Sequence, residues 1–158
     1  MKEVTLHTRL LVCSADELSE TDRSLVEQAR CSTGTSYSPY SRFSVGAAAL
    51  LDDGTVVCGS NQENAAYPSG LCAERVALFY ATSQHPGRKV EALAIAARAA
   101  DGFTPDPITP CGSCRQVFAE LRTRYGNPMR LLLYGARHTL VVDDACSLLP
   151  LTFDAESL

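Results

Sequence analysis

Residues 69–80, SGLCAERVALFY, put Cys72, Glu74 and Arg75 at the start of a predicted helix whose next positions, Val76, Ala77 and Phe79, are apolar. A glutamate in a first turn is favoured by the positive end of the helix dipole, and an arginine there can face water. Local physics thus accounts for Glu74 and Arg75 and leaves Cys72 unexplained. A second stretch, TPCGSCRQVF at 109–118, carries a C-x-x-C pair directly behind Pro110. Proline suits the first position of a helix, so Cys111 and Cys114 share a first turn, three residues apart and on one face. Taken alone, C-x-x-C fits a redox dithiol, half of a structural zinc site or part of a catalytic one. Helix N-termini favour thiolates, and thiolates are what bind Zn²⁺.

If the apolar run EALAIAAR at 91–98 is a strand that returns the chain to the same edge of a sheet, Cys72, Cys111 and Cys114 can converge on one ion. A structural zinc site closes its tetrahedron with a fourth Cys or His, usually at short spacing, and neither cluster has one nearby. His7, His85 and His138 stand isolated in the sequence and read as surface or internally satisfied side chains. The open position would hold water. Glu74, two residues from Cys72, points in a different direction and is read as a proton acceptor and donor beside that water rather than as a ligand. Three thiolates outweigh a dication by one charge, which weakens it as a Lewis acid. Arg75, hydrogen-bonding to the thiolates, would offset that excess.

The elements that must position these groups are visible as apolar runs and periodic segments between turn signals. LSETDRSLVEQARCS at 18–32 reads as a capped amphipathic helix, and TSYSPYSRF at 35–43 as a loop. SVGAAALL and TVVCGS flank DDG, a hairpin signal. The polar loop NQENAAYPSG at 61–70 leads into a helix over 71–83, and EALAIAAR is followed by a proline-rich loop and a helix over 111–125. MRLLLYG and HTLVV read as two closing strands, DDACSLLP as a short terminal helix, and residues 4–12 as a short strand. Strands interleaved with helices, including a hairpin and a strand-helix-strand crossover, predict an α/β fold of three layers, α/β/α, around a mixed sheet of roughly five strands. The whole of 1–158 reads as a single domain, with 1–17 an N-terminal extension.

Composition narrows the partners. At 158 residues, 46% hydrophobic and 20% charged, the chain suits one domain with one sizeable core. A formal net charge of -4 and a pI near 5.3 disfavour a protein that holds nucleic acid by bulk electrostatics. No apolar run approaches the roughly 20 residues that span a bilayer, and the N-terminus lacks the apolar centre of a signal peptide, so a cytoplasmic protein is expected. Seven cysteines are an odd number for a disulfide framework. Cys13, Cys31, Cys58 and Cys146 read as small buried hydrophobes.

The C-A-E motif at 72–74 together with P-C-x-x-C at 110–114 resembles the signature of the zinc-dependent deaminases. FSVGAAAL at 43–50, NQENAAYPSGLCAER at 61–75, PCGSCRQV at 110–117 and LLPLTF at 148–153 extend the resemblance to the small, all-cysteine cytidine deaminases over roughly residues 20–158. This resemblance implies hydrolytic deamination of cytidine and 2′-deoxycytidine in pyrimidine salvage, by a zinc-bound hydroxide with Glu74 as proton shuttle. It implies one zinc per chain on Cys72, Cys111 and Cys114, with Arg75 as charge compensator. It further implies that Asn61 and Glu63 hold the ribose, that Phe43 packs by the pyrimidine ring, and that Ala73 offers backbone groups to the base. Tyr67 and Phe153 match positions that reach a neighbouring subunit, so a homotetramer is implied. Departures at Ser60, Gln62 and Ser113 remove no catalytic group.

Other readings stay open at this level. A deaminase of another amino-heterocycle, such as blasticidin S or free cytosine, would share the zinc motif without needing Asn61 and Glu63. A structural-zinc binding module would need no proton shuttle, and a thioredoxin-like dithiol would leave Cys72 and Glu74 without a role.

Overall fold

The computed structural model describes residues 1–158, the side chain of Glu156 excepted. In chain order the elements are β1 (Leu11–Cys13), α1 (Glu20–Ser32), β2 (Ser44–Leu51), β3 (Val56–Ser60), α2 (Ala73–Gln84), β4 (Val90–Ala99), β5 (Gly102–Phe103), α3 (Gly112–Tyr125), β6 (Arg130–Tyr134) and β7 (Thr139–Val142), with short 3-10 turns between and after them. The strand order is β1-β7-β6-β4-β2-β3, and β5 folds back on the end of β4. The β4–β6 pair is parallel and the other pairs are antiparallel.

The sheet therefore has seven strands rather than the expected five or so. The strand with no counterpart in the sequence reading is β5, whose two residues are too short to show a period. Of the strand expected over 4–12, only its end pairs, Leu11 opposite Val141 through Cys13 opposite Thr139. Ahead of β1, Thr8 Oγ1 donates to the Ser147 carbonyl at 2.6 Å and Arg9 meets Asp143 at 3.3 Å. Residues 8–13 thus run along β7 and the turn after it.

Side-chain alternation divides the sheet into two apolar faces. Ala47, Ala49, Leu51, Leu93, Ile95, Leu131 and Leu133 pack with Ala77 and Leu78 of α2 and Phe118 and Leu121 of α3. Ala48, Ala92, Ala94, Ala96 and Leu132 pack with Leu25, Val26 and Ala29 of α1. The α/β/α layering follows. An ion pair from Arg130 Nη2 to the buried Asp22 also ties α1 to β6.

Topology sets where the two motif helices begin. β3 and β4 are each antiparallel to β2, so they run in the same direction, and β6 runs with β4. The crossovers β3-α2-β4 and β4-α3-β6 step the same way across the sheet, and a shared right hand puts both helices on one face. Each helix starts beyond the C-terminal end of a strand, the edge at which open α/β sheets gather their sites. Gly59 sets how close α2 lies. A Cβ there would stand 2.5 Å from Ala77 N and 2.9 Å from Ala73 O, so any larger residue would push the first turns of α2 away from β3.

Candidate metal centre and adjoining pocket

Cys72 and Cys111 are the N-cap residues of α2 and α3, both extended (φ -70°, ψ 153° and φ -68°, ψ 166°). N-caps are usually Ser, Thr, Asp or Asn, whose oxygens accept from the first turn. Neither cysteine makes that bond, and the first-turn bonds run instead to their carbonyls, Val76 N to Cys72 O at 3.1 Å and Arg115 N to Cys111 O at 3.0 Å. Both sulfurs are left to point at each other across the gap between the helices. Cys114, one turn into α3 and fully buried, completes the group.

The sulfurs of Cys72 and Cys111 are 3.7 Å apart, those of Cys111 and Cys114 3.5 Å, and all three lie within 4.8 Å of one another. A tetrahedral ion with Zn–S bonds of about 2.3 Å needs its sulfurs roughly 3.8 Å apart. The thiols are free and stand close to that separation, so the donor set fits zinc in chemistry and in spacing. Among the described residues no histidine joins them, and His138 instead lies 4.0 Å from Asp106.

Two helix dipoles converge here, and the sulfurs share hydrogen bonds. The Cys72 thiol is lowered to about 5, first by its hydrogen bond with Cys114 and then by Arg75, whose Nη2 donates to Cys72 Sγ at 3.7 Å. Cys114 is pushed well up by the same contact and by burial. Glu74, the second residue of α2, is 4% exposed, and its carboxyl is raised by desolvation, with the Cys72 charge adding to the shift. The site thus joins an acidic thiol, a buried carboxyl that takes a proton readily, and a guanidinium that faces the thiolate.

Beside the sulfurs opens a cavity of about 570 Å³, whose walls include Cys72, Arg75, Asn61, Glu63, Tyr67 and Tyr40. Its far wall is built by two loops, 36–43 and 61–72, bridged at Tyr37–Gln62 and Gln62–Leu71. Asn61 is a strut in that wall. Its Oδ1 accepts from Ser36 Oγ at 2.6 Å and Val45 N at 2.8 Å, and its Nδ2 donates to the Phe43 carbonyl at 2.9 Å. Glu63 Oε2 accepts from Tyr40 N at 2.9 Å and Ser41 N at 3.3 Å, and these bonds, the Ser41 side chain foremost, lower its carboxyl.

Of the residues singled out in the sequence, Asn61, Glu63, Tyr67, Cys72 and Arg75 line this cavity, while Ala73 and Glu74 are buried in the first turn of α2. Phe43 is half-buried and meets the wall through its backbone. Phe153 is 64% exposed beside α3 and lies outside the cavity, its carbonyl accepting from Gln116 Nε2 at 2.7 Å. Tyr40 and Ser41 belong to the wall without having been marked in the sequence. Their signal was the serine- and proline-rich turn, whose backbone N–H groups are free to hold a carboxylate. Two of the departures, Ser60 and Gln62, satisfy each other: Thr35 Oγ1 donates to Ser60 Oγ at 2.9 Å and Gln62 Nε2 does so at 3.2 Å.

Residues 19–125 match the family described as the cytidine and deoxycytidylate deaminase zinc-binding region. A protein of Halalkalibacterium halodurans named cytidine deaminase is 43% identical over 140 residues, covering 85% of this chain and 95% of that one. One of Sporosarcina psychrophila with the same name is 39% identical over 134 residues, covering 85% and 92%. Among solved structures, the cytidine deaminase of Burkholderia pseudomallei superposes with a TM-score of 0.72 at 37% identity, covering 86% of this chain and all of the other. That of Mycobacterium tuberculosis does so with a TM-score of 0.64 at 36% identity, covering 83% and 95%.

Proposed function

Since the chain belongs to the cytidine and deoxycytidylate deaminase zinc-binding family, we propose that it hydrolyses the exocyclic amine of cytidine and 2′-deoxycytidine, with Glu74 moving the proton. The observation that carries this reading is the meeting of three thiols at two helix N-termini with a buried carboxyl two residues beyond the first of them. Cys72, Cys111 and Cys114 would hold a Zn²⁺ ion, which would supply Lewis-acid polarisation and ease the ionisation of water at neutral pH.

The protein's own groups do the rest. Glu74 accepts one proton from the attacking water and gives it to the ring nitrogen, where it stays. It then takes the second from the hydroxyl added at the ring carbon and gives it to the departing amine. As the carbon–oxygen bond forms and the carbon–nitrogen bond breaks, cytidine and water become uridine and ammonia. Burial suits the carboxyl to this task, because a group whose protonated form is favoured holds the proton between the two transfers. Arg75 draws charge from the Cys72 sulfur and so from the ligand set. Asn61 and Glu63 hold the ribose hydroxyls, Phe43 packs near the pyrimidine, and the backbone of Ala73 faces the base. Cys72 and Glu63 line one cavity of about 570 Å³, so a single small molecule can meet both.

Purified zinc-loaded chain is expected to release ammonia and the uridine product one-to-one from either nucleoside, and to stop when a chelator removes the metal. A folded, zinc-loaded chain that releases nothing from either would overturn the reading, and turnover of free cytosine alone would move it to another amino-heterocycle. Glu63 separates these cases. Glu63→Ala is expected to lower kcat/KM for cytidine by about 10²-fold, the loss of a charged hydrogen bond worth roughly 2–3 kcal/mol, and to leave cytosine turnover where it was. Equal losses on both substrates would remove the ribose role.

We further place the chain in pyrimidine nucleoside salvage in the cytoplasm, acting on a small substrate without nucleic acid, as a homotetramer. The acidic charge, the absence of any helix long and apolar enough to cross a membrane among the described residues, and the exposure of Tyr67, Tyr80, Leu151 and Phe153 support this. Sedimentation at micromolar concentration is expected to give the mass of four chains, and a monomer would refute the assembly.

A further inference from the structure

The ligand pair Cys111 and Cys114 is followed by Arg115, a residue the proposed chemistry does not use. Arg115 Nε donates to the carbonyl of Pro110, the residue that presents Cys111, at 2.8 Å. Its Nη1 donates at 3.0 Å to the carbonyl of Leu148, 33 residues further along the chain in the 3-10 turn Ala145–Leu148. Pro110 is itself fully buried. One guanidinium thus closes the turn before the first ligand and fastens it to the C-terminal segment.

That segment is attached to α3 at three further points. Arg122 Nη1 meets Asp144 at 2.7 Å, Cys146 Sγ approaches the Phe118 carbonyl at 3.7 Å, and Gln116 Nε2 holds the Phe153 carbonyl at 2.7 Å. Arg115 is where this row of contacts reaches the metal ligands. We infer that Arg115 is a positioning residue: by bonding the Pro110 and Leu148 carbonyls together it holds Cys111 in register with Cys72 and Cys114, and it makes the C-terminal segment part of the frame of the metal centre. The inference rests on the three cysteines being the ligands, and it is independent of which nucleoside is deaminated. The planar fork explains the choice of residue, since its Nε and Nη1 reach the two carbonyls from separate, fixed positions, whereas the three donors of a lysine radiate from a single nitrogen that would have to lie within reach of both.

The test compares full-length wild type with Arg115→Met, which keeps the aliphatic stem and removes both donors, and with Arg115→Lys, which keeps the charge but gathers its donors on one nitrogen. Zinc-loaded protein is challenged with a chromogenic chelator, and Co²⁺-substituted protein is examined by visible absorption, which reports the geometry of thiolate ligation. Arg115→Met is expected to release zinc about 10- to 100-fold faster, the usual effect of removing a group that orients a ligand, and to shift the cobalt bands. Arg115→Lys is expected to fall between, and it carries the test if the Met variant does not fold. Cobalt spectra that superpose on wild type, with zinc release within about twofold of it, would leave Arg115 a merely structural contact and overturn the inference, whatever the melting temperature does. A wild-type chain that took up neither metal would sink the metal centre itself and this inference with it.

Discussion

Glu74→Gln is expected to yield a folded chain that still carries one zinc and turns cytidine over about 10³–10⁴-fold more slowly, the upper part of the range for losing a positioned acid-base group. Glutamine matches glutamate in volume and so leaves the first turn of α2, packed on Gly59, undisturbed. It also removes a carboxyl that burial and the Cys72 charge already disfavour in its ionised form, so folding has little to lose. What it cannot do is accept a proton from water and surrender it to the base. Since Glu74 is not among the three clustered sulfur ligands, metal content should stay at wild-type level. The measurement is kcat for ammonia release alongside zinc per chain and melting temperature for both proteins. Turnover within tenfold of wild type would strip Glu74 of the shuttle role, and loss of zinc would make it part of the ligand set instead.

The groups that carry this prediction were legible in the sequence because their signals are local. A cysteine where a helix would ordinarily carry an oxygen cap, and a C-x-x-C behind a proline, each announce a helix N-terminus with a sulfur on it. The hairpin around Gly54 (φ 84°) and the continuous apolar runs of β2 and β4 are equally local, and runs apolar at every position mark strands buried on both faces. What stayed hidden is either too short to carry a period or set by partners distant in the chain. The two-residue β5 is of the first kind, its partner being the end of β4 a turn away, and the start of pairing at Leu11, opposite Val141, is of the second. Phe43 carries an aromatic signal, yet its bonds to the pocket wall run from its carbonyl and its backbone N–H, groups that tell nothing of the side chain. Arg115 looks like a charge on the water-facing side of a helix until the Leu148 carbonyl is placed against it.

Cys111→Ser is expected to cost the chain its metal while preserving its fold. Serine is among the best N-cap residues, so the start of α3 keeps or gains stability, and Cys111 is exposed, so no core cavity opens. The apolar clusters on both sheet faces owe little to this position, and Phe118 and Leu121 hold α3 in place a turn and more away. The metal has no such redundancy. Zinc bound by cysteine-rich sites is worth about 10–16 kcal/mol at neutral pH, so one ligand of a small set carries on the order of 3–4 kcal/mol, a loss of roughly 10²–10³ in affinity. A serine hydroxyl does not replace it, being neutral and hard where a soft thiolate stood. After dialysis against a weak chelator, zinc per chain should fall from one towards zero and turnover should vanish with it. Cys58→Ser, at an exposed thiol outside the cluster, should keep both. If Cys111→Ser retained zinc and turnover, Cys111 would not be a ligand. If it lost zinc and unfolded, the metal would be structural, and the open position beside Glu74 would lose its reason.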